Sequence, residues 1–351
     1  MAIQSSSPAD RRIGYIDALK GFAILCVVLG HVLGGYLTIG TYAGESGLRL
    51  LGDLHSLIYS FHMPLFMMLS GYLYYTVYFN RGGEPDRGRI RRQVCNHIAV
   101  YVIYSMLWGL LKILATPLAG VQMQKELRLL DLALIWVKPL DVYWYLYVLI
   151  FFYLIFSIKG LTKANRWVLL LILAAVAVSG KVIDVPWFHI SGAMYHALFF
   201  FVGIAGKKYE HWIIGNKPLT FALFAAALGG LLVRNGGTYP LRILWGIVTA
   251  LGISLALWYV FQHSKTISRV KILRLCGKCS LEIYVLHDIV VAVLKRALPK
   301  MGVHDLYLNV ALNFILSTAA PLLFAILCKR LRLHGLFFKP VTYLTQNRKE
   351  P

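Results

Sequence analysis

Long apolar segments follow one another along the chain, separated by short polar stretches. A helix needs about 20 apolar residues to cross the roughly 30 Å hydrocarbon layer of a bilayer. On that measure the sequence predicts ten transmembrane helices, at 18–38, 54–79, 94–115, 142–158, 166–180, 193–206, 218–233, 241–261, 277–297 and 306–328. The predicted fold class is therefore an all-α integral membrane protein. Residues 1–351 are expected to form a single membrane domain with short tails at 1–14 and 333–351.

The amino-acid composition supports a lipid environment for most of the surface. Hydrophobic residues make up 58% of the 351 residues, charged residues only 15%, and the mean hydropathy is +0.65. A soluble domain of this length lacks the polar surface needed to cover so many apolar side chains. Membrane lipids are therefore the first predicted partner.

The excess of positive charge is distributed in a way that predicts orientation. The formal net charge is +21, from 36 Lys and Arg against 15 Asp and Glu. The basic residues are scattered through the interhelical loops and form no single patch, which argues against nucleic acid as a partner. Cytoplasmic loops are enriched in Lys and Arg, and the alternation predicts that both termini are cytoplasmic. One predicted outer loop breaks this rule with Lys295, Arg296 and Lys300.

Ionisable side chains inside the predicted spans are candidate functional residues, because they are costly in lipid. The first span contains Lys20 and His31. At 100° per residue, the steps between them return to within about 20° of the same direction after a rise of roughly 16 Å, so both side chains face the same way. The second span contains His62, and the helix rise places it at a depth similar to that of His31 in an antiparallel neighbour.

Two imidazoles at one depth predict a polar cavity with a general base, because imidazole has an unperturbed pKa of about 6.5. The alternative interpretation is a pair of histidines that only hydrogen-bond between helices. His287, beside Asp288, either lines the same cavity or holds helices together. Trp144 belongs either to an interfacial aromatic belt or to a platform on which an acceptor sugar stacks. His196 is expected to pack at the interface.

No metal site and no permanently bound cofactor is predicted. Cys276 and Cys279 form a lone C-x-x-C without a second pair or nearby histidines, which is too few ligands for zinc. The motifs G-x-S-x-G, G-x-x-x-x-G-K-[ST] and H-E-x-x-H do not occur, which argues against the usual hydrolases, P-loop enzymes and zincins.

Three motifs resemble those of one family of membrane enzymes. Tyr15–His31 carries a basic residue, ten positions and then a histidine; Phe61–Tyr72 begins Phe-His-Met-Pro-Leu-Phe; and Ser280–His287 follows Ser-Leu-x-x-Tyr-x-x-His. These segments resemble the signatures of the acyltransferase 3 family, nearest to its fucose 4-O-acetylase-like branch. The resemblance implies a multi-pass enzyme of the bacterial inner membrane. Such an enzyme transfers an acyl group, most often acetyl, from cytoplasmic acyl-CoA to a carbohydrate hydroxyl at the outer side.

The resemblance also implies that His31 is the catalytic residue and that Lys20 is the basic residue required before it. We expect direct acyl transfer, in which His31 removes the proton from the acceptor hydroxyl. His62 is the third catalytic candidate, and would orient the acceptor or stabilise the developing oxyanion. Lys20 would contact CoA or hold the polar channel open. A covalent acyl-histidine intermediate is the alternative mechanism.

Further binding residues are expected from the motifs and from the loop charges. Relatives carry regularly spaced arginines and then a Pro-Tyr pair at the start of the third helix, whereas this sequence has Val100 before Tyr101. The candidates for acyl-CoA binding are Arg91, Arg92 and Ser70, and those for binding the carbohydrate acceptor are Trp144, His287 and Asp17.

Two other function classes fit the same polar cavity. One is a transporter or flippase for a glycolipid or a small molecule, in which the histidines couple transport to protons without acyl chemistry. The other is a histidine-rich membrane sensor. No inverted repeat supports the first, and no output domain supports the second.

Overall fold

The computed structural model describes residues 8–39, 42, 44–80, 83–119, 127–185, 187–209, 216–233 and 238–347. Over these ranges the chain is all-helical, as predicted, with one isolated β-bridge between Phe79 and Pro85. In chain order the helices are α1 (Pro8–Thr38), α2 (Gly47–Tyr78), α3 (Arg87–Ala119), α4 (Leu129–Ala133), α5 (Trp144–Ile155), α6 (Lys159–Lys163), α7 (Arg166–Val182), α8 (Ile190–Lys208), α9 (Lys217–Val233), α10 (Tyr239–His263), α11 (Lys265–Ser268), α12 (Lys271–Lys278), α13 (Ser280–Lys300), α14 (Leu306–Arg330), α15 (His334–Phe338) and α16 (Pro340–Asn347). Short 3-10 turns lie at Leu134–Trp136, Asp141–Tyr143 and Trp187–His189.

A helix occupies each of the ten predicted segments, although several helices extend beyond the predicted bounds. Within the described ranges, six helical stretches are long and apolar enough to cross a membrane: Gly14–Thr38, Arg87–Ala115, Leu129–Ile155, Trp187–Lys208, Leu241–His263 and Leu306–Arg330. The chain is thus a multi-pass membrane protein. The number of spans and the cytoplasmic orientation of both termini stay predictions.

Two helices that carry candidate residues, α2 and α13, are too polar to belong to that group of six. Charged side chains interrupt α13 at Glu282, Asp288, Lys295 and Arg296. Polar side chains inside a membrane protein face the protein interior or a water-filled cavity. These two helices are therefore the ones expected to border a polar site.

The chain separates into two compact units. The first consists of Met1–Leu73 and Val202–Ala325, and the second of Tyr74–Phe201 and Ile326–Pro351. The predicted single membrane domain stays a prediction.

In the first unit, α1 and α12 approach each other through glycines. A Cβ atom on Gly21 would overlap the backbone carbonyl of Leu273, and a Cβ atom on Gly277 would overlap the carbonyl of Asp17. Small residues let helix backbones in membrane proteins come this close. Because either substitution would force the helices apart, the two glycines fix the face of α1 that meets α12 and α13.

A row of buried polar residues on α14 also holds α1 against α13. Asn309, Asn313 and Ser317 are each fully buried and recur every fourth residue, so they share one face of the helix. The Asn313 side-chain amide donates to the Tyr36 hydroxyl (3.4 Å) on α1 and to the Val291 carbonyl (3.3 Å) on α13. This bridge fixes the spacing between α1 and α13 near the candidate site.

In the second unit, α3 is tied to the C-terminal helix α16. The Asn96 side-chain amide donates to the Thr342 hydroxyl (2.7 Å), and its oxygen accepts from the backbone N–H groups of Val341 and Thr342 (3.1 and 3.2 Å). The Tyr101 hydroxyl donates to the Ile135 carbonyl (2.5 Å). These bonds satisfy buried polar groups that would otherwise be costly.

Candidate active site

His31 lies on α1 beside two residues of α13. The ring centroids of His31 and His287 are 5.1 Å apart, and the Nδ1 atom of His31 lies 4.0 Å from the Oδ1 atom of Asp288. The His31 side chain is 28% exposed and that of Asp288 18% exposed, so solvent reaches both. The first unit therefore places an imidazole and a carboxylate side by side at an accessible position.

Helix α2 contributes a stack of rings to the same site. Tyr59 stacks on His55 with 4.0 Å between ring centroids, and its ring lies 4.7 Å from His62 and 6.4 Å from His31. His62 is buried, whereas Tyr59 is half-buried. His31 and His62 therefore share Tyr59 as a neighbouring ring.

The hydrogen bonds of His62 and His287 fix which ring nitrogen carries the proton. The Nδ1 atom of His62 bonds to the Ile58 carbonyl (2.8 Å), and that of His287 to the carbonyls of Ile283 (3.1 Å) and Tyr284 (2.8 Å). A carbonyl only accepts, so both Nδ1 atoms donate, and each neutral ring keeps its lone pair on Nε2. The Nε2 atom of His287 is buried and has no hydrogen-bond partner within the described part of the chain.

A cavity of about 300 Å³ opens beside His31. It is lined by residues of α1, α2 and α13, namely His31, Gly34, Gly35, Thr38, Tyr59, Asp288, Val291, Ala292 and Lys295. A Cβ atom on Gly34 would lie 3.0 Å from Nε2 of His55, and one on Gly35 would lie 3.3 Å from Cδ of Lys295. The two glycines therefore provide space for these neighbouring side chains. Pockets that bind small molecules have volumes from about 300 Å³ upwards.

Lys20 lies nearer the N-terminal end of α1, in a group of opposite charges. The Lys20 ammonium group interacts electrostatically with the carboxyl groups of Asp17 and Glu282. The Asp17 carboxyl group also interacts with the cations Lys278 and Arg274. Lys20 thus lies near the start of α13, the helix that His31 also faces. The helix rise separates the two residues by roughly 16 Å, so they belong to one helix face and to two different local environments.

The remaining candidate residues lie in other surroundings. The Ser70 hydroxyl donates to the Phe66 carbonyl of its own helix (2.9 Å), two turns beyond His62. Arg91 and Arg92 are exposed in the first turns of α3, in the second unit. Trp144 also lies in the second unit, at the start of α5.

Trp144 is part of a second group of rings. His189 stacks on Trp144 with 4.7 Å between ring centroids, and His196 lies 4.9 Å from the same indole. The Nδ1 atom of His196 donates to the Gly192 carbonyl (2.8 Å). Trp144, His189 and His196 therefore form one aromatic cluster, which the sequence did not predict because the contacts join residues from different helices.

Four residues of the site around His31 were missed by sequence reasoning: His55, Tyr59, Asp288 and Lys295. Asp288 carried a usable signal, because a carboxylate inside a predicted span is costly without a partner. Tyr59 and His55 gave weaker signals, since tyrosine is common near membrane interfaces and His55 lies at the edge of the predicted span. Lys295 was assigned to an outer loop, whereas it lies inside α13 and lines the cavity.

Among the described residues, no group of three or more His, Cys, Asp or Glu side chains could hold a metal ion.

Comparison with known proteins finds no curated protein and no solved structure that matches this chain. A family model described as an acyltransferase domain matches residues 13–330. That match includes the candidate residues on α1, α2 and α13. Since it also covers far more than half of the chain, this protein belongs to the acyltransferase 3 family.

Proposed function

We propose that this membrane acyltransferase transfers an acyl group, in the first instance acetyl, from acyl-CoA to a hydroxyl of a cell-surface or lipid-linked carbohydrate. We further propose that it acts in the inner membrane of a bacterium. The observation that carries the proposal is the position of His31 on the wall of an open cavity, with the Asp288 carboxylate 4.0 Å from its Nδ1 atom.

Asp288 orients His31 as a general base. A carboxylate beside Nδ1 attracts the proton to that nitrogen, which leaves the lone pair on Nε2 for the acceptor hydroxyl. The separation of 4.0 Å is longer than a hydrogen bond. Such contacts are often long in the absence of substrate and shorten when it binds. The same carboxylate stabilises the imidazolium that forms during the reaction.

The reaction then needs no covalent intermediate on the protein. The Nε2 atom of His31 takes the hydroxyl proton, and the acceptor oxygen attacks the thioester carbonyl. The carbon–sulfur bond breaks, CoA leaves as a thiolate, and the proton on His31 passes to that sulfur. The products are an ester and CoA with a free thiol.

The hydrogen bonds of His62 favour an orienting role over oxyanion stabilisation. Its Nδ1 proton is donated to Ile58, so the neutral ring has no N–H left for an oxyanion. His62 is buried against Tyr59, which lines the cavity, so it positions that ring. The hydroxyl of Tyr59 is the better donor for the developing oxyanion.

His287 is proposed to accept a hydrogen bond from the acceptor. Its Nε2 lone pair has no partner among the described residues, and its ring lies 5.1 Å from that of His31. An unpaired buried acceptor costs about 1–3 kcal/mol. A substrate hydroxyl that reaches the ring would recover this energy and would come close to the base.

The other candidate residues are assigned to the donor and to the acceptor. Lys20, balanced by Asp17, is proposed to supply a fixed positive charge for acyl-CoA. Arg91 and Arg92 are exposed cations of the kind that bind CoA phosphates. Trp144 is proposed to offer an aromatic face to a sugar ring.

The test uses purified protein in lipid vesicles with radiolabelled acetyl-CoA and candidate glycans. We expect release of free CoA thiol in step with label in the glycan, and loss of both in His31→Ala. Label that first accumulates on the protein would support the acyl-histidine mechanism. Movement of a glycolipid across the bilayer without thiol release would instead support a transporter and would refute the proposed function.

A further inference from the structure

Helix α10 carries a row of polar side chains that the proposed chemistry does not use. Ser254, Trp258 and Gln262 recur every fourth residue, so they share one face of the helix. The Ser254 hydroxyl, the Trp258 indole N–H and the Gln262 side-chain oxygen are all buried, and within the described ranges none of the three has a hydrogen-bond partner. Buried polar groups are normally paired, because an unpaired one is costly. Three unpaired groups on one helix face therefore indicate a binding surface for a polar molecule.

The row lies on the side of α10 that contacts α1 and α2. The ring centroids of Trp258 and Tyr72 on α2 are 5.0 Å apart, and those of Phe261 and Phe22 on α1 are 5.6 Å apart. Polar groups inside a membrane protein face its interior or a polar passage. The row is thus directed at the same two helices that carry His31 and Tyr59.

Packing against the neighbouring helix α9 does not account for the row. A Cβ atom on Gly252 would overlap the Leu223 carbonyl of α9, so Gly252 marks the side of α10 that meets α9. At 100° per residue, Ser254 and Trp258 point roughly 160° and 120° away from that side. Gln262 is partly exposed at the C-terminal end of α10, so solvent reaches one end of the row.

The row covers the distance between the two charged environments of α1. The contact of Phe22 with Phe261 places this part of α10 close to the level of Lys20. The predicted topology makes α1 and α10 antiparallel. Ser254 precedes Phe261 by two turns, roughly 10 Å along the helix, which brings it close to the level of His31. A molecule bound along this face would therefore extend from the environment of Lys20 towards that of His31.

We propose that the row on α10 binds the pantetheine arm of acyl-CoA, with the thioester directed towards His31. The inference rests on the proposed function and assigns residues to the binding of its donor. Counted from the sulfur, the arm carries an amide, a second amide and a hydroxyl. The first amide carbonyl accepts from the Ser254 hydroxyl, the second accepts from the Trp258 N–H, and the hydroxyl donates to the Gln262 oxygen. The order of groups along the arm matches their order along the helix, where each step of four residues is roughly 6 Å.

The test compares two donors that differ in the length of the arm. S-acetylpantetheine carries the whole arm, and S-acetyl-N-acetylcysteamine keeps only the amide nearest the sulfur. Neither contains the nucleotide, so phosphate contacts do not enter the comparison. Equilibrium binding of the corresponding S-ethyl thioethers, which cannot transfer an acyl group, is measured beside acyl transfer. We expect wild-type protein to bind the longer thioether at least about tenfold more tightly, since one buried hydrogen bond has that effect.

Two substitutions and a control connect this preference to the row. Trp258→Phe keeps a ring against Tyr72 but removes the N–H, and should weaken binding of the longer thioether alone by about tenfold. Ser254→Ala should weaken binding of both thioethers to a similar extent, because both keep the first amide. The control is Thr220→Val on α9, whose buried hydroxyl likewise has no hydrogen-bond partner among the described residues, and it should leave both affinities unchanged.

The outcomes separate the inference from the proposed function. Equal binding of the two thioethers by wild-type protein would overturn the inference. It would also be overturned if Trp258→Phe and Ser254→Ala lowered thermal stability without weakening either thioether, since the row would then only hold water or pack helices. Tighter binding of the longer thioether by a protein that transfers no acyl group would refute the proposed function and leave the binding site for the arm standing.

Discussion

Two clusters contain similar side chains in different surroundings. The first cluster consists of His31, Tyr59, His62, His287 and Asp288 in the first unit, and the second of Trp144, His189 and His196 in the second unit. Around His31, a carboxylate lies 4.0 Å from the imidazole and a cavity opens beside it. Around Trp144, His189 stacks on the indole at 4.7 Å and His196 donates to a backbone carbonyl. The carboxylate that precedes Trp144 in the chain, Asp141, is paired with Lys112.

On the proposed mechanism, histidines and aromatic rings do not by themselves make a proton-transfer site. A general base needs a group that holds one ring nitrogen and space for a substrate at the other. The first cluster has both features, because Asp288 faces Nδ1 of His31 and the cavity borders the ring. In the second cluster the Gly192 carbonyl holds Nδ1 of His196, but the indole of Trp144 packs against the rings of both His189 and His196.

The largest effect on the rate of acyl transfer should come from removing the imidazole of His31. His31→Ala should lower the initial rate of acyl transfer by about 10³-fold, because general-base catalysis contributes about 10²- to 10⁴-fold. His196→Ala, in the second cluster, is the matched control and should lose far less. Rates are compared at equal amounts of protein in the membrane. A dead His196 variant beside an active His31 variant would reverse the comparison.

Removing the carboxylate of Asp288 should have the next largest effect on the rate. Asp288→Asn should lower kcat by about 10²-fold with little change in KM for acyl-CoA, because an amide orients the ring but does not stabilise the imidazolium. Asp288→Glu should recover part of the rate. Steady-state kinetics give kcat and KM for both variants. Near-native thermal stability is the check that each variant is folded. A loss confined to KM would contradict the positioning role.

The sequence predicts the helices and part of the site for clear physical reasons. Each of the ten apolar segments predicted from the sequence contains a helix, and helical geometry predicts that Lys20 and His31 share one face. Asp288 lies more than 250 residues after His31, and its contact depends on the packing of α1 against α13. No local pattern encodes that packing. The proton positions on His62 and His287 were also beyond prediction, because they follow from hydrogen bonds to particular carbonyls.

Lys20 tests whether the charged group at the other end of the same helix face supports the first cluster. Lys20→Arg should retain substantial activity because it keeps a permanent cation, although the forked guanidinium differs from a point charge. Lys20→Met should lose about tenfold or more despite its similar bulk. Initial rates at saturating and limiting acyl-CoA separate binding of the donor from chemistry. A dead Arg variant beside an active Met variant would show that position 20 does not contribute charge.

His287 tests whether the unpaired nitrogen of the first cluster binds substrate. In His287→Asn the amide can still donate to the carbonyls of Ile283 and Tyr284, but no acceptor remains at the position of Nε2. We expect KM for the carbohydrate to rise by about tenfold, the usual effect of losing one buried hydrogen bond. KM for acyl-CoA should not change. An unchanged carbohydrate KM would assign His287 to helix packing alone.

The smallest effect is expected from the second cluster, where Trp144 is the candidate for sugar binding. His189 already covers one face of the indole with a ring-centroid distance of 4.7 Å, so at most the other face is free to stack on a sugar. Trp144→Ala should therefore raise the carbohydrate KM by about threefold, and Trp144→Phe by less, because an aromatic face remains.

The control His189→Ala separates the two possible roles of the Trp144 indole, sugar binding and helix packing. If Trp144 binds sugar, removing the histidine should leave KM close to its wild-type value. If the cluster only packs α5 against its neighbours, both variants should lower thermal stability to a similar extent without changing KM. A loss of kcat in Trp144→Phe comparable to that in Asp288→Asn would show that the second cluster takes part in the chemistry, and the distinction between the two clusters would then fail.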